Sequence, residues 1–404
     1  MIKYVKSLNP ADCCGCKACE HICAHQAISF HFDNEGFWYP SINETNCVQC
    51  GLCENVCPME KTDAMLHPQG KAYAFQLLDK EKLLNSSSGG VFYAIASTIL
   101  RENGVVYGAA FEGKVVKHKR VESLSDIIDL MGSKYVQSDT VDTYNQVKKD
   151  LNVGKKVFYT GTPCQIAGLK LYLRKDYENL LTADLVCHGT PSPKILEDTI
   201  SHIEDNLKAK FKSYSFRDKR VGGWSCASSS SSYKKGAKQI YLKYSKEMEA
   251  YFNAFISGHM MRMSCYHCPF ARLERTGDIT IADYWGVKKL HPEFPNIGKG
   301  MSLFVSNTEK GEHMIQKLLF KNYVREIDLL QAAQKNRNMQ MSTPYVVERE
   351  SIYKLFFNDY KGFLKKYYKG NYFKAKIKAN VIYFIRDNEW IFKVVSKLTH
   401  ALKK

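Results

Sequence analysis

Apolar runs and helical periods alternate through the middle of the chain. Residues 104–111 and 114–121 read as strands, and 124–131 and 141–151 then show helical spacing. Residues 155–160 predict a third strand, 165–173 a helix, 180–186 a strand and 195–207 a helix. Past Phe216 the pattern loosens. Gly222-Gly223-Trp224 predicts a turn, the five serines at 228–232 a strand or loop, and 241–244 a further strand. Residues 251–263 have helical spacing, and 279–282 read as a short buried strand. Strands alternating with helices predict α/β layers on a mostly parallel or mixed sheet.

Composition narrows the class. The chain has 404 residues, 45% hydrophobic and 25% charged, which suits a soluble protein of two or three units and excludes a disordered or fibrous one. No run approaches the roughly eighteen apolar residues of a spanning helix. Met1–Ser7 has no apolar core, so no secretory signal is expected and the location expected is a reducing cytoplasm. The 14 cysteines therefore read as metal ligands rather than disulfides.

Charge is uneven. Overall 58 Lys and Arg face 41 Asp and Glu, yet residues 1–66 have four lysines against eight acids. Residues 354–404 have thirteen Lys and Arg against three acids, with apolar residues at helical spacing from Ile377 to Leu402. Such a basic amphipathic tail can pack on its own body, dock a partner, or lie on the anionic inner face of a membrane. No zinc-finger or RNA-platform pattern accompanies it, so no nucleic acid is expected.

Cys13, Cys16, Cys19 and Cys23 have the spacing C-x2-C-x2-C-x3-C, and Cys47, Cys50, Cys53 and Cys57 repeat it, with Pro58 following. In two-cluster ferredoxins the fourth cysteine of each run ligates the other cluster. The expectation is one 4Fe–4S centre on Cys13, Cys16, Cys19 and Cys57, and a second on Cys47, Cys50, Cys53 and Cys23. Ala24 stands where a proline usually follows Cys23, and Cys14 reads as an unligated neighbour. Of the remaining cysteines, Cys164 and Cys187 follow predicted strands, and Cys265 and Cys268 form a C-x2-C pair. Ligand sites in open α/β sheets lie beyond the carboxyl ends of strands. These four thiols could form a third tetrathiolate cluster, a zinc or smaller site, or an inert set. Cys226, in the serine-rich stretch, reads as structural.

Ser86-Ser87-Ser88-Gly89-Gly90 opens a helix predicted over 91–100, offering hydroxyls and free amides to an anion. Gly132-Ser133-Lys134-Tyr135-Val136-Gln137-Ser138 and Thr160-Gly161-Thr162-Pro163 add polar loops, the latter adjoining Cys164. Clusters pass single electrons whereas hydride donors deliver pairs, and a flavin converts between them.

Read together, residues 86–92, 132–138, 161–165, 187–192, 265–268 and Gly-Asp-Ile-Thr-Ile-Ala-Asp-Tyr-Trp-Gly at 277–286 resemble the coenzyme F420 hydrogenase/dehydrogenase beta-subunit family. That family is similar to 7-hydroxymethyl chlorophyll a reductase and to bacterial homologues encoded among polysaccharide genes. The resemblance spans roughly 70–330, behind the ferredoxin module. It implies FAD on Ser87, Ser88, Gly89, Gly90, Lys134, Tyr135, Gln137, Ser138, Thr160, Gly161 and Thr162. It also implies a third 4Fe–4S cluster on Cys164, Cys187, Cys265 and Cys268. Lys134 and His188 are the expected proton donors or charge stabilisers beside the flavin.

The expected organisation is a dicluster ferredoxin module over 1–66, a mixed-sheet α/β flavin and Fe–S domain in parts 67–152 and 153–345, and a helical basic tail over 346–404. The expected function is that of an FAD- and 4Fe–4S-dependent oxidoreductase working with a redox partner protein or a small hydride donor or acceptor. The alternatives are a non-catalytic electron-relay subunit and a redox accessory protein of polysaccharide biosynthesis.

Overall fold

Strands that are apolar on both faces belong in the middle of a sheet covered on both sides. The computed structural model, which describes residues 2–224 and 229–370, bears this out. A hairpin of β1 (Ile28–Phe32) and β2 (Trp38–Ile42) crosses the cysteine-rich head. The main sheet then takes β3 (Lys71–Leu77), β4 (Val105–Glu112), β5 (Val115–Val121), β6 (Val157–Gly161) and β7 (Leu180–Leu185). The chain leaves to form a small antiparallel sheet of β8 (Lys210–Ser215), β9 (Ser230–Lys235) and β10 (Lys238–Lys243). It returns with β11 (Ile279–Asp283), β12 (Ser302–Ser306) and β13 (Asn322–Ile327), giving the order β13-β3-β12-β11-β7-β6-β4-β5.

The centre is parallel: Val105 faces Val157, Val157 faces Leu180, and Ile279 faces Ala183. All five residues of β6 are buried. Antiparallel β5 closes one edge, and antiparallel β12, β3 and β13 build the other. Strands from 67–152 and from 153–345 thus interleave in one mixed sheet.

The head is sunk into this body. Cys16, Ala18 and Val56 share a core with Tyr107, Tyr144, Tyr159 and Ile166, while Phe37 and Tyr39 share one with Ile195, Tyr251 and Tyr353. In the helix Pro163–Leu173, a side chain on Gly168 would meet the Cys16 sulfur at 2.9 Å, so glycine makes room for that thiol. The stretch read as a linker, Pro68-Gln69-Gly70, is packed. The His67 amide donates to the Arg275 carbonyl at 2.7 Å, and a Cβ on Gly70 would fall 1.7 Å from the Ser306 carbonyl oxygen.

Two predicted helices differ in extent. The first is helical only over Ile127–Leu130, and the Lys134 ammonium donates to the Asp129 and Met131 carbonyls at its end. The second runs Lys246–Ile256, capped by Ser245, and the His188 ring takes the Ile256 carbonyl. The start of the basic tail forms helices Arg349–Asn358 and Tyr360–Tyr367, which pack on the body through Ile352, Phe356, Phe363 and Tyr367. Residues 371–404, with the amphipathic spacing, and Cys226 lie outside the described residues. Among the described residues no helix is long and apolar enough to cross a membrane.

One buried ion pair fixes the sheet end that carries the thiols. Asp184 of β7 accepts from Arg275 Nη2 at 2.8 Å, Thr280 Oγ1 at 2.8 Å, and the Thr276 and Gly277 amides at 3.0 and 2.9 Å. Neither partner reaches solvent. Removing one charge from such a pair leaves the other buried and uncompensated. Asp184→Asn is expected to destabilise the fold by about 3–5 kcal/mol. A denaturation midpoint equal to wild type would contradict this.

His118 of β5 holds two loops: its Nε2 donates to the Thr160 carbonyl at 2.9 Å and its Nδ1 accepts from Ser138 Oγ at 3.1 Å. Burial pushes its pKa from 6.5 down to about 4. The unfolded chain therefore takes up this proton before the folded one, and stability present above 6.5 is lost as pH falls toward 4. Wild type should lose more stability between about pH 7 and pH 5 than His118→Gln does. Equal losses in a urea titration would contradict this.

Candidate functional site

Two cavities lie side by side, the larger between the head and the sheet and the smaller within the head. The larger, about 640 Å³, is lined by Cys164, Cys187, Cys265 and Cys268. The smaller, about 350 Å³, is lined by Cys13, Cys16, Cys19 and Cys57. Cys14 and Met59 line both, so one layer of side chains forms the common wall. Cys23, Cys47, Cys50 and Cys53 line neither. Cys50 is exposed, and the Cys23 sulfur accepts from the Ala27 amide at 3.3 Å.

Local sequence explains each thiol's place in the larger cavity. Thr162 caps the helix Pro163–Leu173 by a reciprocal box with Gln165, and Pro163 is pre-set for the first turn. Cys164 is thereby held in that turn, where the helix dipole favours a thiolate. Cys187 follows β7, and its sulfur accepts from the Gly189 amide at 3.4 Å. Cys265 belongs to the 3-10 turn Met263–His267, and Cys268 follows it. Arg275 Nη1 donates to the Phe270 carbonyl at 3.1 Å, so the Asp184–Arg275 pair also anchors this loop.

The electrostatics of the thiols bear on what can occupy the cavities. A hydrogen bond that the Cys164 thiol donates to Cys14, then burial, raises Cys164, while burial and the neighbouring thiols raise Cys187 and push Cys268 up to about 12. Burial likewise pushes Cys57 up to about 12. Four bare thiolates would repel one another there, and bound metal removes that penalty because a coordinating thiol is deprotonated outright. Thiolates are the soft ligands of iron–sulfur clusters. Among the described residues no group of three or more His, Cys, Asp or Glu is placed to hold a single ion. A cubane takes its thiolates at separate corners, so it needs a wider ring of sulfurs than one tetrahedral ion does.

The other predicted site residues fall into two groups. Gln137, Ser138 and Thr162 line the larger cavity, and Gln165 Nε2 ties them together by donating to the Ser138 carbonyl at 3.1 Å. Gly161 ends β6, and Thr160 Oγ1 donates to the Tyr107 carbonyl at 3.1 Å. Ser87, Ser88, Gly89 and Gly90 do not line the cavity. They precede the helix Val91–Arg101 and meet the 132–138 loop where the Ser133 amide donates to Ser87 Oγ at 2.8 Å. The Ser88 hydroxyl donates to the Met301 carbonyl at 2.8 Å, and the Gly89 amide to Ser302 Oγ at 2.9 Å.

Tyr135 stacks on Phe255. Lys134 is half-buried, donates to two carbonyls, and is pushed by burial down to about 7. His188 lines the larger cavity, with Nδ1 near Asn338 Oδ1 at 3.2 Å and Thr343 Oγ1 at 3.3 Å.

Sequence reasoning missed the shared wall and one buried cation. Cys14 hydrogen-bonds to both Cys16 and Cys164, joining the two cavities. Arg262, amid Met260, Met261 and Met263, is fully buried; a charge inside an apolar run just before a C-x2-C pair was the available signal.

Comparison with known proteins agrees with this layout. Residues 154–331 match the family described as the C terminus of the coenzyme F420 hydrogenase/dehydrogenase beta subunit. Residues 12–61 match the 4Fe-4S dicluster domain, which carries two clusters. No curated protein matches the chain. A chain from the xenon-derivatised F420-reducing NiFe hydrogenase complex of Methanosarcina barkeri is similar over 68% of this chain and 91% of its own, at 17% identity and a TM-score of 0.42. Residues 12–61 thus match a 4Fe–4S dicluster domain, and residues 154–331 match the C-terminal domain of the coenzyme F420 hydrogenase/dehydrogenase beta subunit.

Proposed function

We propose that this chain is an iron–sulfur flavoprotein oxidoreductase that moves electrons between its ferredoxin clusters and a hydride-exchanging substrate at FAD. One observation carries the reading: four thiols from three loops line a single cavity whose wall is shared with the Cys13, Cys16, Cys19 and Cys57 cavity. In this reading Cys164, Cys187, Cys265 and Cys268 hold a third 4Fe–4S cluster. The second ferredoxin cluster, on Cys23, Cys47, Cys50 and Cys53, takes the outer position, where the exposed Cys50 gives a redox partner access.

FAD would interconvert hydride pairs and single electrons. The residues offered to it are chemically suited. Ser87–Gly90 leads into the unpaired first-turn amides of the helix Val91–Arg101, a place for a pyrophosphate. Gln137, Ser138 and Thr162 present an amide and two hydroxyls on the cavity wall. Lys134, lowered to about 7, exchanges a proton near neutrality. His188 lines the same cavity as Cys187 and Cys265, with its ring nitrogens held by Ile256, Asn338 and Thr343, and so packs against a bound group rather than titrating beside it.

Anaerobic purification with iron and flavin analysis tests this. Wild type should hold about twelve irons, from three clusters of four, and one FAD. Cys265→Ser should lose about four irons and keep the ferredoxin signals. Eight irons in wild type would remove the third cluster, and absence of flavin would remove the hydride site. Cys14→Ala should retain the full iron content, because the cavity walls then lose no ligand; loss of a cluster would make Cys14 a ligand.

A further inference from the structure

Four arginines are buried among the described residues, and three have a carboxylate partner. Arg217 pairs with Asp283, Arg275 with Asp184 and Arg349 with Glu35. Arg262 is the exception. It is 0% exposed, and its hydrogen bonds all go to neutral oxygens: Nε to the Cys13 carbonyl at 2.7 Å, Nη2 to the Trp38 carbonyl at 2.9 Å, and Nη1 to Gln137 Oε1 at 3.2 Å. Its guanidinium lies 4.2 Å from the Tyr39 ring centre and 5.5 Å from that of Phe37. A buried charge without a counter-charge is costly, and carbonyls and rings offset only part of that cost.

The missing negative charge is placed on both sides. Cys13 of the smaller cavity supplies one acceptor, and the Cys265 amide of the larger cavity donates back to the Arg262 carbonyl at 2.9 Å. Gln137, which receives Nη1, lines the larger cavity and donates through Nε2 to the Cys14 carbonyl in the shared wall. The charges that act on Arg262 most strongly are those of Cys13, Tyr39, Cys14 and Cys265. Cubanes on four thiolates are net anionic and become more so on reduction.

We infer that Arg262 is the common counter-charge of the Cys13–Cys57 cluster and of the cluster in the larger cavity, and holds both at raised reduction potential as neighbouring steps of one electron path. The inference rests on the proposed third cluster for one of its two sites. Arg262 acts through electrostatics and position, and touches no reacting atom. The cluster on Cys23, Cys47, Cys50 and Cys53 lines neither cavity and serves as the internal control.

The test is a potentiometric titration of the full holoprotein followed by EPR, with the control cluster assigned by its loss in Cys50→Ala. Arg262→Met should lower the potentials of the two clusters beside it by at least tenfold in the reduction equilibrium, about 59 mV for a one-electron couple. The control should stay in place. Arg262→Lys, which keeps the charge, should stay within a few-fold of wild type. Gln137→Glu sets a carboxylate against Nη1 without removing the arginine, and should lower the same two potentials. This variant carries the test if Arg262→Met fails to fold. Unchanged potentials in both Arg262→Met and Gln137→Glu, or an equal shift of all clusters, would overturn the inference. A wild type that lacks the third signal would instead overturn the proposed function, and the effect on the Cys13–Cys57 cluster would still decide the role of Arg262.

Discussion

The Asp184–Arg275 pair is what the site depends on. Asp184 stands in β7 just before Cys187, and Arg275 ends the loop that begins with Cys265 and Cys268. With its carboxylate also fixing the Thr276 and Gly277 amides and the Thr280 hydroxyl, three stretches of chain are held at one end of the sheet. Cys164 reaches the same place from β6 because Thr162 and Pro163 start its helix there. The thiols line one cavity because a buried polar network and a helix cap hold the loops that carry them.

The alternating centre of the fold was readable: β4, β5, β6, β7 and the helices Thr143–Asn152, Pro163–Leu173 and Pro193–Leu207 fall where apolar runs and helical periods predict them. Cys13, Cys16, Cys19 and Cys57, which the spacing groups as one set, line one cavity. Other features depend on tertiary partners that no local pattern records. The helix at 127–130 stops where Lys134 takes its carbonyls. Strands β3, β12 and β13 come together from residues far apart in the chain. The Pro-Gln-Gly stretch at 68–70 has linker chemistry, yet the close approach of Ser306 packs it down. The shared wall at Cys14 and Met59 required the head to be docked, which spacing cannot express.

Docking also changes what the head is. Lys17 pairs with Asp139 at 2.8 Å, Gln137 Nε2 donates to the Cys14 carbonyl at 3.0 Å, and Thr140 Oγ1 donates to the Cys16 carbonyl at 3.2 Å. Glu35 of the hairpin pairs with Arg349 of the tail helix, so the basic end of the described chain braces the acidic module. In the proposed function a ferredoxin module held this way would act as a fixed wire into the body, at short and constant distances between the proposed centres.

The most direct measurement of the central claim is anomalous diffraction at the iron edge from crystals grown without oxygen. Three iron peaks are expected, one of them enclosed by Cys164, Cys187, Cys265 and Cys268 and separated from its neighbour by Cys14 and Met59. Peaks confined to the head, with those four sulfurs bare, would contradict it.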